Sequence, residues 1–202
     1  MRTDECVACK TFPCTDVKHA SYIIPGIELE PEDISVVMIS ESAPADLTDY
    51  YYAGAKALFQ QTTVQAFKDA GAVVDSIEDI LKLGVYLTTA VKCGKTSYGI
   101  ETGTIQHCSL ILEKELALFS NVKVFMLMGD VAIRAVNQVA KWAGEPRVIP
   151  AGSTYKIRGQ AYYFKGKRAF PSYLQAGPSF FIEKSKRKMI AEDIAAGLSL
   201  AK

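Results

Sequence analysis

No stretch of this sequence reaches the roughly 18 uninterrupted apolar residues of a membrane span, and its polar, cysteine-bearing start lacks the charged and apolar regions of a secretory signal. A cytoplasmic protein is the expectation. Net charge is nearly absent, since 23 Lys and Arg stand against 22 Asp and Glu, and so no global field announces a nucleic-acid partner. The P-loop, the Gly-x-Ser-x-Gly elbow, the zinc-protease helix and the three-glycine dinucleotide turn are all missing, and the enzyme classes that these motifs mark are set aside with them. No internal repeat, low-complexity tract or linker interrupts the chain. Residues 1–202 therefore read as one domain with a cysteine-containing segment over about residues 1–30. With 49% hydrophobic and 22% charged residues, a chain of this length buries a substantial core.

What is present is a succession of short apolar runs and amphipathic stretches. Ser35 to Ile39 is rich in branched side chains and fits a strand covered on both faces. Gly54 to Ala70 has helical spacing and ends at Gly71. A second strand is expected at Val85 to Ala90, a helix at Ile105 to Phe119 and a third strand at Val122 to Met128. Gly129 then leads into a helix through Trp142, with Asp130 as its cap. Tyr155 to Arg168 alternates polar and aromatic residues around Lys165-Gly166-Lys167, the pattern of a hairpin or edge strand, and Pro178 to Leu198 reads as the last helix. Repeated strand, loop and helix units imply an α/β fold with parallel strands and helices on both sides of the sheet. In such sheets ligands bind beyond the carboxyl ends of the strands. That rule selects Glu41 to Tyr52, Thr88 to Lys95 and Ala169 to Leu174 as the loops that carry chemistry.

Five cysteines in a chain without an export signal favour metal or catalytic thiols over disulfides. Cys6 and Cys9 form a close pair, and Cys93 and Cys108 wait downstream, so that four thiolates can close on a tetrahedral metal or an iron-sulfur cluster. Burial of some as small hydrophobes is the alternative. Cys14 is the odd fifth, close enough to Cys9 to compete as a ligand.

Charge is unevenly spread. From Lys156 to Lys188 nine Lys or Arg face the single acid Glu183. Lys184 to Lys188 fits a solvated helix face, whereas the aromatics interleaved through Tyr162, Tyr163, Phe164, Phe170 and Tyr173 give the first half the composition of a nucleic-acid contact. Glu41, directly after a buried strand and beside Pro44, is placed to orient or deprotonate a water molecule; bonding to nearby backbone amides is the bland alternative. Met128-Gly129-Asp130 offers a glycine that either admits a phosphate or simply makes a turn.

The order Cys-x-x-Cys, Ser-Glu-Ser-Ala-Pro followed by an aromatic and Ala-Gly, Val-Lys-Cys, Met-Gly-Asp, Arg-Gly and Pro-Ser-Tyr-Leu resembles the iron-sulfur uracil-DNA glycosylases over roughly Cys6 to Leu198. The resemblance implies a three-layer α/β/α sandwich around a four-stranded, mainly parallel sheet, a 4Fe-4S cluster (zinc being the alternative) on Cys6, Cys9, Cys93 and Cys108, and a monomer that acts on DNA. Glu41 falls where the family handles its attacking water, and Tyr52 where an aromatic stacks on the flipped base. Thr89 replaces an Asn that reads the uracil edge, and Phe170 replaces a His that supports the leaving base. Ser42 completes the expected base contacts. Lys167, Arg168, Pro171, Ser172, Tyr173 and Leu174 are expected to grip DNA, with Tyr173 or Leu174 filling the vacated space.

Thr89 and Phe170 change what the resemblance predicts. A hydroxyl cannot match an imide edge as an amide does, and phenylalanine donates nothing to a departing anion. The expected function is hydrolysis of the N-glycosidic bond of uracil or another deaminated base in DNA. A weakly active or inactive DNA-binding relative is the alternative, and a zinc-holding relative directed at RNA or a small molecule is a third reading.

Overall fold

The computed structural model describes residues 1–202. Its elements are α1 (Thr3–Cys6), β1 (Val17–Lys18), β2 (Val36–Ala43), α2 (Leu58–Asp69), α3 (Ile77–Lys82), β3 (Val85–Lys95), α4 (Thr102–Leu116), β4 (Val124–Met128), α5 (Asp130–Trp142), α6 (Thr154–Ile157), β5 (Tyr162–Phe164), β6 (Lys167–Ser172), α7 (Ser179–Ile182) and α8 (Lys184–Ala201). One six-stranded sheet has the order β1-β3-β2-β4-β6-β5. The four central strands are mutually parallel, and β1 and β5 add antiparallel edges. The expected four-stranded parallel sheet is thus the middle of a wider, mixed one. The edge strands are only two and three residues long; β5 belongs to the expected hairpin, whereas β1 is too short for an alternating pattern to announce it.

Successive residues of a strand point to opposite faces, and here they divide the core in two. Val37 and Ile39 of β2, Tyr86 and Ala90 of β3 and Phe125 and Leu127 of β4 join α4 and α5 in one cluster. Val36 and Met38, Val85 and Leu87, and Val124 and Met126 join α2, α3 and α8 in the other. Every residue of β4 is buried, which explains why it reads as a continuous apolar run.

Several local expectations change. The strand expected to stop at Ala90 runs to Lys95, because β2 pairs with it past a bulge as far as Ala43 with Gly94 and β1 pairs with its end. Lys92 and Cys93 therefore lie inside a strand and not in a loop after it. The helix expected from Gly54 starts at Leu58, since Gly54 has φ +116°, outside helical space. The expected last helix is broken at Glu183, whose φ −92° and ψ 74° separate α7 from α8. Helix α3 was not expected, although Ser76 and Asp79 announce it: the Ser76 hydroxyl accepts from Asp79 N–H at 3.1 Å while the Asp79 carboxylate accepts from Ser76 and from Asp75 N–H, a reciprocal cap of the capping-box kind. Of the stretch expected to form a hairpin, Tyr155 to Ile157 lie in α6 and only the part from Tyr162 forms it: β5 and β6 are turned by Lys165 and Gly166 at φ +48° and +72°, the paired positive values of a two-residue turn that suits strand twist.

Candidate active site

The carboxyl ends of β2, β4 and β6 meet at a cleft of about 470 Å³ lined by Glu41, Lys95, Tyr98, Gly129, Asp130, Arg134, Ser172, Tyr173, Leu174, Glu183 and Lys186 among others. Glu41 follows Val37 and Ile39 on the α4/α5 face of β2. Its carboxylate occupies the space a side chain would need at Gly129: a Cβ there would come within 2.6 Å of Glu41 Oε1. Gly129, at φ +98°, is therefore required twice, by its backbone and by its neighbour. Of the two uses offered for Gly129, the structure shows the turn: the space beside it holds the Glu41 carboxylate, which sits at the N-terminal end of α5, where partial positive charge favours an anion. Lys95 Nζ stands 3.7 Å from Glu41 Oε2, with the two side chains 29% and 18% exposed.

Ser172, Tyr173 and Leu174 form the opposite wall, whereas Pro171, expected to grip DNA, is buried within β6 beside Leu127. Ser172 is fully buried; its carbonyl accepts from Gly129 N–H at 3.0 Å and its hydroxyl donates to Asp193 of α8 at 2.5 Å. Arg158 donates to both carboxylate oxygens of Asp193, at 3.1 and 2.8 Å. Burial raises the Asp193 carboxyl above its ordinary value, against the opposing pull of Arg158 and Ser172. Tyr173 and Leu174 are half-buried at the rim, and Lys186 Nζ lies 5.4 Å from the centre of the Tyr173 ring. Tyr98, 99% exposed, stands on the other side of the cleft with Lys95 over its ring.

The structure separates other residues that sequence grouped together. Strand β6 starts at Lys167 and ends at Ser172 beside Met128, so Lys167 and Arg168 lie at the end of the sheet remote from the cleft. Arg168 spends its guanidinium on the carbonyls of Gln160, Tyr162 and Ala169 and covers the buried ring of Phe170 at 4.2 Å. The cations that do reach the cleft are Lys95, Arg134 and Lys186. Only their position relative to strand ends distinguishes them, and no local motif marks it.

Tyr52 does not line the cleft. Its hydroxyl donates to Leu87 C=O at 3.1 Å and accepts from Leu87 N–H at 3.2 Å, serving the part of β3 that the short β1 does not cover. Ser42 is buried just before the bulge in β2. Thr89 is fully buried on the α2/α8 face, and its hydroxyl has no hydrogen-bond partner.

The cysteines divide differently from the expected set. Cys6 is exposed on α1, its thiol directed at Arg2 C=O at 3.4 Å. Cys93 and Cys108 are buried; burial first, then the neighbouring charges of Cys108, Cys9 and Cys14, push the Cys93 thiol up to about 12, and burial pushes Cys108 up to about 11. Cys9 Sγ lies 3.9 Å from His107 Nε2, and Cys14 lines a small cavity with the same His107. Cys9, Cys14, Cys93 and Cys108 thus share one neighbourhood, although no three Cys, His, Asp or Glu side chains stand close enough together to hold a common ion.

Sequence reasoning also missed Lys92 and Glu115. They form an ion pair in which the side chains are 1% and 0% exposed, and Tyr86 and Thr88 each donate to Glu115 Oε1 at 2.8 Å. Lys92 also donates to the Thr88 hydroxyl and to Thr89 C=O.

The sequence model of the Uracil DNA glycosylase superfamily matches residues 28–192, a span that runs from before β2 into α8. The chain belongs to that superfamily. The match takes in Glu41, the Ser172 to Leu174 wall and both downstream cysteines, and leaves Cys6, Cys9 and Cys14 outside it. No curated protein matches the chain. No helix is long and apolar enough to cross a membrane.

Proposed function

We propose that this superfamily member is a monofunctional DNA glycosylase that hydrolyses the N-glycosidic bond of a deaminated base. The observation that carries the reading is the shared cleft of Glu41 and the Ser172 to Leu174 wall, flanked by Lys95, Arg134 and Lys186. A base within a duplex must leave the stack to present its sugar carbon. Tyr173, Leu174 and the exposed Tyr98 supply the apolar and aromatic surface that fills or flanks the opened step, and the three cations meet the backbone phosphates. Glu41 orients a water molecule toward C1′. As the water oxygen bonds to that carbon, the bond to the base nitrogen breaks, its electron pair leaves with the base, and the proton shed by the water passes to the Glu41 carboxylate. Phe170 is buried under Arg168 and donates nothing to that anion, so charge on the leaving base falls to the cations and backbone amides at the rim. A base that leaves readily suits such a site.

The test is a panel of single-stranded and duplex oligonucleotides holding uracil, hypoxanthine or xanthine, scored for abasic sites. We expect excision of at least one base, a loss of about 100-fold or more in Glu41→Gln, and salt-dependent DNA affinity that falls in Lys186→Ala and not in Lys167→Ala. DNA binding with no excision of any base by the unmodified chain would favour the inactive-relative reading.

The same reading includes a thiolate-held group, a 4Fe-4S cluster or zinc. Cys9, Cys14, Cys93 and Cys108 are the residues that would hold it: thiol chemistry suits either group, and binding would displace their protons. Its contribution would be to tie the N-terminal segment to β3 and α4. Iron, sulfide and zinc assays after anaerobic purification distinguish the two metals. Cys14→Ala should lose the metal and Cys6→Ala should keep it; the reverse pattern would restore the Cys6 assignment.

A further inference from the structure

Above Met38 and Leu87, on the α2/α8 face of the sheet, the apolar core gives way to a closed layer of polar side chains at the level of the cleft. Ser40 and Thr89 are register partners on adjacent parallel strands, so their side chains stand on the same face about 5 Å apart at the backbone. Ser40 shares a hydrogen bond with the Tyr51 hydroxyl and donates to Gln175 Oε1 at 3.2 Å. Gln175, fully buried, donates from Nε2 to Tyr51 Oη at 3.2 Å and to Thr63 Oγ1 at 3.5 Å. These contacts are long for their type, and the last is at the limit of a hydrogen bond. Thr89 Oγ1 has none at all. An unpartnered buried hydroxyl one strand over from Ser40, which itself holds the Gln175 amide by a long contact, makes a polar layer that a planar polar ligand would complete.

Both ends of this layer connect to the cleft by a single peptide bond. Ser40 precedes Glu41, and Gln175 follows Leu174. We propose that Gln175, with the hydroxyls of Thr89 and Ser40, reads the edge of the extruded base. The proposal rests on the glycosylase reading and deepens it. The amide missing from position 89 is supplied from the loop after β6. A side-chain amide offers one acceptor and two donors in a plane, which complements a lactam or imide edge, a ring N–H beside a carbonyl. Its neighbours orient it: Ser40 donates to Oε1 and the Tyr51 and Thr63 oxygens accept from Nε2. The ligand class is a base whose exocyclic amine has been replaced by a carbonyl. Ring and amide meet only if the Gln175 contacts to Tyr51 and Thr63 yield, and their length makes them the ones that do.

Two readouts test this: kcat/KM on the base panel, and the affinity ratio between oligonucleotides with and without the deaminated base. Thr89→Val should raise the melting temperature, since it removes an unpaired buried hydroxyl, and yet lower kcat/KM on the preferred base at least tenfold. Gln175→Glu, which keeps the shape and loses the donors, should change the ratio of kcat/KM between two bases at least tenfold; Gln175→Leu should abolish the affinity ratio while general DNA binding persists. Unchanged base ratios in Gln175→Glu, together with full activity in Thr89→Val, would overturn the assignment. If the unmodified chain excises nothing, the affinity ratio alone decides: a preference that vanishes in Gln175→Leu supports the subsite, and no preference for any deaminated base refutes it.

Discussion

The two faces of the sheet bury polar groups of different kinds. On the α4/α5 face, Lys92, Glu115, Tyr86 and Thr88 form a network in which each charge meets its counter-charge and further hydrogen bonds. On the α2/α8 face at the same height, Thr89 has no partner and Gln175 is held by long contacts. The first arrangement suits a permanent part of the architecture, because a buried charge is tolerated only when paired and fully bonded. The second leaves the Thr89 hydroxyl without a partner and holds the Gln175 amide by three long contacts, an arrangement that suits a site better than a strut. Lys92 joins the two, since it donates to Thr89 C=O and so fixes the backbone from which the orphaned hydroxyl projects.

The largest effect should come from breaking the satisfied side. Glu115→Leu leaves the Lys92 ammonium buried without its partner, and we expect a loss of about 3–5 kcal/mol in urea denaturation. The double variant Lys92→Met with Glu115→Leu should recover much of that loss, since an apolar pair of similar volume is often close to neutral. A single variant that melts like the unmodified chain would mean that the network contributes little and that the contrast between faces is weaker than drawn.

A smaller effect is expected at Asp193, which holds Ser172 at the cleft wall. Its folded value lies above the ordinary carboxylate value because burial dominates, so the folded state binds this proton more tightly than the unfolded chain does. The stability that comes with the neutral form is present below about pH 4 and is lost as pH rises through the raised folded value. Subtracting the pH-stability curve of Asp193→Asn from that of the unmodified chain isolates this fall from the titration of the other carboxylates. A difference that is flat across the acid range would contradict it. Asn retains an acceptor for the Ser172 hydroxyl, so the wall itself should keep its place.

The order of strands and helices was legible in sequence because each central strand is covered on both faces and each long helix has one apolar side, patterns that local composition records. Glu41 was legible for the same reason: it follows a buried run at the end of a strand. Of the cleft cations, only Lys95 fell within a loop that the strand-end rule selected. Lys186 sits in a run of like charges that composition assigns to solvent, and Lys95 lies at the end of a strand that read as having stopped earlier. Lys167 and Arg168 looked suited to DNA, yet β6 runs parallel to β4 and carries them to the far end of the sheet.

By itself the sequence determined the α/β class, the parallel core and the carboxylate that marks the cleft, because burial and turn formation are written in residue types a few positions apart. Only the tertiary structure decided which thiols gather around Cys93, which cations face Glu41, and that Thr89 and Gln175, far apart in the chain, belong to one polar layer. Those relations depend on strand order and on which face a side chain takes, and both are settled when distant segments pair, beyond the reach of any local pattern.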